Sequence, residues 1–245
     1  MIHVYFVDKT KLSGRRLVDE LNKLGIITTG NHPDNGIPKD IKYLIRWGCS
    51  LGSVPAGIRE INSKEALMLV IDKLKSLNVL NKAKLGIPRL YDYKNISFPC
   101  IIRPINHMRQ EEFLICYTRN DFPMEIGSGY YITELFLKKF DYRIFIFRNI
   151  FIRGYVWKPR PDFKNPSEVI RTDDFGWKMH QTTDIPRKVI IESFKAVEAL
   201  KLDFGGVDIG IDSTGKTAIY EINSAPYLND LRSQLFAQAI ANSIR

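Results

Sequence analysis

No apolar run in these 245 residues approaches the roughly 18–20 needed to cross a bilayer, so no spanning helix is expected. The opening segment MIHVYFVDKT lacks a basic start, a long apolar stretch and a small-residue cleavage site, so it does not read as a signal peptide. Cysteine is scarce. The three residues, Cys49, Cys100 and Cys116, are odd in number, have no paired spacing and sit in apolar or strand-like contexts. This argues against a disulfide framework and predicts reduced, buried thiols in a cytoplasmic chain. There is no zinc-ligand spacing, no Ser/His/Asp set, no internal repeat and no low-complexity tract. The net charge is +9, but no compact basic run or nucleic-acid motif accompanies it. Solvated lysines are the plain reading; attraction of nucleotides, acidic peptides or nucleic acid is the other.

What remains is an ordinary globular composition, 44% apolar and 26% charged, long enough to bury a core in one or two α/β units. Residues 2–7 read as a strand. A helix follows, with Leu17, Val18, Leu21 and Leu24 on one face and Gly25 as its stop signal. KYLIRWG, 42–48, is a second strand of a small α/β module that ends near residue 60. The next helix is predicted to start at Asn62 as N-cap, with Glu65 completing a capping box. Its apolar stripe is Leu67, Val70, Ile71, Leu74 and Leu77, and Lys73 lies beside it. Strands are expected at 98–104, 113–118, 131–137, 142–147 and 150–156, the last two joined by a turn at Arg148-Asn149. Residues 158–184 are polar and carry no clear period. A helix over 186–201, two strands flanking STGK, and a helix over 229–243 complete the chain.

The most informative segment is DFGGVDIGIDSTGKTAIYEINSAPYL, 203–228. A hairpin centred on Thr214-Gly215 sets Asp208 opposite Glu221, and period-2 alternation puts Asn223 on the same face. Two carboxylates and an amide then converge in a segment that is otherwise apolar. Facing carboxylates destabilise a sheet unless a cation lies between them, and oxygen donors suit Mg²⁺. Asp212 shares the face but lies ~13 Å away at about 3.3 Å per residue, so it reads as a turn residue. An acidic, solvated hairpin face is the bland alternative.

This segment resembles the final metal-binding strands of the ATP-grasp ligases, an Asp strand followed by Glu-x-Asn and a small-residue–Pro turn. The likeness is nearest to the compact carboxylate–amine ligase type found among phage and bacterial proteins, and more distant to the ribosomal-protein glutamate ligases. It spans roughly 40–230. It implies an α/β (α+β) ATP-grasp fold: an N-terminal pre-ATP-grasp unit over 1–60, a small lobe over 61–137 and a C-terminal lobe with the metal site over 138–245.

By the same resemblance, Lys73 and Arg103 would bind ATP phosphates, with Arg103 where a strand lysine is usual. His107, four residues past Arg103, would join them. Glu134, Leu135 and Phe136 would hold adenine through backbone contacts and an apolar bed. Arg143, in DYR, would face the reacting phosphate, and Arg171 would bind phosphate or acyl phosphate. Each has a plainer reading: a surface lysine, a structural histidine, a simple strand, a structural salt bridge, a solvated loop. The stretch NHMRQEEF, 106–113, lacks the family's Gly-rich lid, leaving side chains such as Arg109 for closure, and GSG at 127–129 reads as a turn.

The implied activity joins a small-molecule or peptide carboxylate to an amine. ATP with Mg²⁺, or Mn²⁺ in its place, would act through an acyl phosphate, releasing ADP and phosphate. Two other classes stay open: a kinase on the same fold, and a nucleotide- or nucleic-acid-binding module without turnover.

Overall fold

The computed structural model describes residues 1–105 and 113–244. Its strands form three sheets, each drawn from a contiguous run of chain. The first sheet is parallel, ordered β2-β1-β3-β4, with β1 at Ile2–Phe6, β2 at Thr28–Asn31, β3 at Tyr43–Trp47 and β4 at Arg59–Ile61. The second is ordered β5-β8-β6-β7, with β5 at Leu90–Tyr91, β6 at Cys100–Pro104, β7 at Leu114–Cys116 and β8 at Tyr130–Glu134. The third is antiparallel, ordered β11-β10-β9-β12-β13. Its strands are β9, Phe140–Phe147; β10, Ile150–Pro159; β11, Trp177–Thr182; β12, Phe204–Ile211; and β13, Thr217–Asn223.

The third sheet is apolar on both faces because its central strands are covered twice. Ile144 and Ile146 of β9 and Val207 and Ile209 of β12 pack in one core with α2 (Lys64–Ile71), α3 (Lys73–Lys82) and α4 (Arg187–Ala199). The alternate residues Phe145, Phe147 and Phe204 face a second core, shared with α1 (Lys11–Lys23), α5 (Asp230–Ile244) and the first sheet. Trp47 ties the sheets together, stacked on Phe204 at 4.8 Å and edge-on to Phe236 at 5.6 Å. Gly48 follows with φ 64°, and a Cβ there would meet Ala225 Cβ at 2.5 Å. Glycine is needed at this point so that the end of β3 can touch the loop after β13. Among the described residues no helix is long and apolar enough to cross a membrane. All three cysteines are free and buried, and burial pushes the Cys100 thiol up to about 11.

Two local expectations change. The apolar stripe from Leu67 to Leu77 is not one helix. Asp72, at φ −81° and ψ 101°, ends α2 and caps α3, its Oδ1 accepting from Lys75 N at 2.9 Å. Lys73 is therefore the first residue of a new helix, and Ile71 is left exposed. Nor is Asn62 the cap of α2; Ser63 is, with its side chain accepting from Ala66 N at 3.2 Å. Asn62 is fully buried at φ 60°. Its Oδ1 accepts from Asp203 N and Phe204 N, and its Nδ2 donates to Phe204 O.

Asn62 thus pins the end of the first sheet to the start of β12. Asn62→Ala removes the acceptor of two backbone N–H groups, at about 1–3 kcal/mol for each group left unsatisfied, and keeps the positive φ. The expected loss is about 3 kcal/mol by urea unfolding; a loss below about 1 kcal/mol would show the bonds replaceable.

Candidate active site

One face of the third sheet changes character along its length. On β9, Phe145 and Phe147 lie in the aromatic core, whereas Asp141 and Arg143 of the same face line an open cleft. The change follows from what covers the face: α5 and the first sheet pack on the Phe145–Phe147 end, and the second sheet borders the other end across a gap. Arg103 of β6 and Glu134 of β8 line the cleft from that side.

Register sets a row of charges across the floor. Arg143 lies opposite Asp208, and Asp208 opposite Glu221. Arg143 grips Asp208 with a forked pair, Nε to Oδ1 at 2.5 Å and Nη2 to Oδ2 at 2.6 Å. Lys73 Nζ, from the start of α3, bonds Glu221 Oε1. The row therefore reads cation, carboxylate, carboxylate, cation. Asn223 adds its amide, with Nδ2 3.3 Å from Asp208 Oδ2. Burial pushes Asp208 up against the pull of Arg143, and Asp208 in turn holds Arg143 protonated despite its own burial.

The expected 208–221 pairing is present, but the register changes within the hairpin. Next to the turn, Ile211 pairs with Thr217 and Ile209 with Ile219, one step away from the register of a turn centred on Thr214-Gly215. A β-bulge at Tyr220 restores that step before Asp208. The bulge also lets the consecutive residues Tyr220 and Glu221 both line the cleft, which regular alternation forbids. Asp212 is the turn residue expected, its Oδ1 accepting from Thr214 and Lys216 N–H groups.

At the other end of the cleft, Glu134 closes β8, and Leu135 and Phe136 follow it. Glu134 N donates to Arg89 O and Leu135 N to Pro99 O, so these two donors are taken up within the protein. Glu134 Oε1 accepts from Arg89 N and lies 3.3 Å from Lys216 Nζ. Phe136 meets Tyr220 edge-on at 6.2 Å. Arg171, from the segment without sequence periodicity, stacks over Trp177 at 4.4 Å and donates to the carbonyls of Lys138 and Lys139. Burial pulls its pKa down, although a guanidinium stays charged.

Of the residues singled out from sequence, Arg103, Glu134, Leu135, Phe136, Arg143, Arg171, Asp208 and Glu221 line this one cleft. Lys73 and Asn223 join it through Glu221 and Asp208. His107 and Arg109 lie outside the described residues. GSG at 127–129 is a turn into β8, with Tyr130 N bonding Gly127 O.

Sequence reasoning missed Lys138, Asp141, Thr172 and Tyr220, which also line the cleft. Asp141 and Lys138 form an ion pair. Asp141 was detectable, because it shares a strand face with Arg143 two residues on. Tyr220 was not, because nothing in TAIYEIN marks a bulge. Its hydroxyl is held well above the ordinary tyrosine range by burial and so stays protonated.

The cleft also holds buried polar atoms without a partner: Arg103 Nε, Arg171 Nε, Thr172 Oγ1 and Tyr220 Oη. Such atoms are costly unless a ligand bonds them. Among the described residues no group of three or more His, Cys, Asp or Glu is placed to hold a metal. The oxygen donors that fit a hard cation are Asp208, Glu221 and Asn223, two carboxylates and an amide on one face.

No family model matches the chain, and no curated protein matches its sequence. Solved structures do match its fold. The ATP-grasp ligase PsnB, complexed with minimal precursor, Mg and ADP, aligns with a TM-score of 0.75 at 14% identity, over 100% of this chain and 97% of that one. D-alanine–D-alanine ligase from Bacillus anthracis gives 0.71 at 17% identity, over 99% and 97%. The macrocyclase MdnC from Microcystis aeruginosa, bound with precursor peptide MdnA, gives 0.66 at 12% identity, over 99% and 100%. The chain therefore has the ATP-grasp fold.

Proposed function

We propose that this protein is an ATP- and Mg²⁺-dependent carboxylate–amine ligase that works through an acyl phosphate. The observation that carries the reading is the charge row. Asp208 and Glu221 face each other beside Asn223, with Arg143 and Lys73 on the flanks and the unpartnered Arg103 and Arg171 nitrogens nearby. PsnB has been solved with Mg and ADP, and the Bacillus anthracis ligase with ATP. The units proposed from sequence, 1–60, 61–137 and 138–245, each hold one of the three sheets apart from the last residue of β4.

Asp208, Glu221 and Asn223 would hold Mg²⁺, which when bound supplies charge neutralisation at phosphate oxygens. Arg103, Lys73 and Arg171 bind and orient the phosphates. Glu134 to Phe136 receive the base, with the Phe136 side chain as an apolar wall. Arg143 meets the charge that develops as the γ-phosphoryl group passes to the carboxylate oxygen. The amine then attacks the acyl carbon, the C–O bond to phosphate breaks, and amide and phosphate leave. No residue needs to bond covalently to substrate; positioning and electrostatics carry the rate.

ADP release that depends on both an acid and an amine tests the reading, with acid and amine pools screened for ATP-dependent mass gain. A phosphorylated acid that accumulates without amine would mark a kinase instead. Salt-sensitive binding of DNA or RNA with no acid-dependent turnover would mark a binding module. Lys73→Ala and Arg103→Ala are each expected to raise the ATP dissociation constant about 10-fold, the loss of one charge-assisted contact, with smaller effects on folding. Unchanged nucleotide binding by calorimetry in both would remove them from the site.

A further inference from the structure

Along β9 the cleft face runs in order. The Glu134–Phe136 end comes first, then Asp141, then Arg143 with its partner Asp208, and then Phe145, where the cleft gives way to the aromatic core. Beyond Arg143 stand two further arginines that the nucleotide reading does not use. Arg232, in the first turn of α5, is only 9% exposed. Its guanidinium lies 4.1 Å over the Tyr155 ring and 5.1 Å over Phe145. Nη1 donates to Tyr227 O at 3.2 Å, but Nε is buried without a partner, and among the described residues no carboxylate pairs with it.

Arg153 is directly opposite Phe145 on β10, and so shares the face on which Arg232 lies. It is half-buried, and among the described residues it too has no acidic partner. Tyr155, under Arg232, is opposite Arg143 itself. The pair thus begins about 7 Å along the strand from the residue proposed to face the moving phosphoryl group, at about 3.3 Å per residue. Every carboxylate of the charge row already has its cation, so these two arginines are surplus to it. Ring contacts recover only part of the cost of burying a guanidinium; an anion recovers more.

We propose that Arg232 and Arg153 bind a second carboxylate on the acid substrate, so that the acid joined to the amine is a diacid. This rests on the ligase reading for the role of the first carboxylate, near Arg143, and deepens it by naming the substrate class. The second carboxylate belongs to a small dicarboxylic acid or to an acidic side chain of a peptide; both present the same group to the two guanidinium ions.

The test uses matched acids that differ only in that group: glutarate against butyrate, and a short Glu-containing peptide against its Gln counterpart. Each is assayed for ATP-dependent ADP release with hydroxylamine as the amine. Wild type is expected to favour the diacid member of one pair by at least about 10-fold in kcat/KM, the value of one charge-assisted contact, and the pair that responds identifies the source. Arg232→Gln should collapse that preference through KM. Arg153→Gln, at a more exposed position, should reduce it in the same direction even if the buried variant folds poorly. ATP affinity by calorimetry should hold in both. No preference in wild type, or equal loss for both members of a pair in the variants, overturns the inference and leaves Arg232 as a clamp on the Tyr227 loop. If no acid supports turnover, glutarate and the Glu peptide are titrated into nucleotide-loaded protein. Binding lost in Arg232→Gln keeps the diacid site while the ligase reading fails; no binding of either sinks the site as well.

Discussion

Asp208→Ala, Glu221→Ala and Asn223→Ala are each expected to abolish Mg²⁺-dependent turnover, a fall of at least about 10²–10³-fold. The three side chains bring two carboxylates and an amide together on one face of the sheet at the cleft. Their effects on the fold should differ. Asp208→Ala strips Arg143 of its forked partner and leaves a largely buried guanidinium without a hydrogen-bonded carboxylate, so it should cost stability as well; Asp208→Asn keeps the volume and some of the hydrogen bonding and isolates the charge. Glu221 is itself more exposed than Asp208, so Glu221→Ala should cost less. The measurement is ADP release over a Mg²⁺ titration, with thermal melts alongside. Folded variants at two of the three positions with normal activity would remove the metal assignment. Chelation by EDTA should reproduce the loss in the unmodified protein and be reversed by added Mg²⁺.

That site was legible because period-2 alternation is a strong constraint in a hairpin. Once 203–211 and 217–223 read as paired strands, Asp208, Glu221 and Asn223 could only share a face. The agreement at Asp208 and Glu221 nevertheless depended on two offsets that no pattern displays, the one-step register near the turn and the bulge at Tyr220 that cancels it. A bulge is decided by tertiary packing. Here the Tyr220 hydroxyl sits where a side chain on Gly210 would be, since a Cβ there would lie 2.2 Å from it. The long amphipathic strands and helices were read well because their apolar residues fill two cores.

β11 was not legible, for the opposite reason. WKMHQT is an edge strand half open to solvent, and its two apolar residues, Trp177 and Met179, give an alternation too short to stand out in a polar segment. Arg171 was placed from resemblance, and the loop that carries it follows from its stacking on Trp177 and from bonds to the Lys138 and Lys139 carbonyls, which are remote in sequence. The break at Asp72 was hidden for a third reason. An Asp beside an unbroken apolar stripe can lie on the polar face of one helix or cap a second, and only the hydrogen bond to Lys75 N distinguishes them.

Arg143→Ala should lower kcat by about 10³-fold while raising the ATP dissociation constant only a few-fold, because its proposed partner is charge that forms during transfer rather than charge already on bound ATP. The structure adds a second consequence. Arg143 neutralises Asp208 on a buried stretch of sheet, so its loss leaves a carboxylate unpaired beside Glu221 and should destabilise the protein by about 3–5 kcal/mol. The two effects separate by experiment: the activity loss must be measured below the melting transition, and Arg143→Lys, which keeps the charge but cannot fork, should restore much of the stability and little of the rate. The same assay reads the bond that breaks. With ¹⁸O in the acid carboxylate, an acyl phosphate requires ADP and not AMP as product, with one label from the acid appearing in the released phosphate as the amine displaces it from the acyl carbon. AMP would mean that the acid attacks the α-phosphorus. Unlabelled phosphate would mean that the carboxylate never receives the γ-phosphoryl group. Either result would also remove the reason to expect Arg143 to act on rate more than on binding.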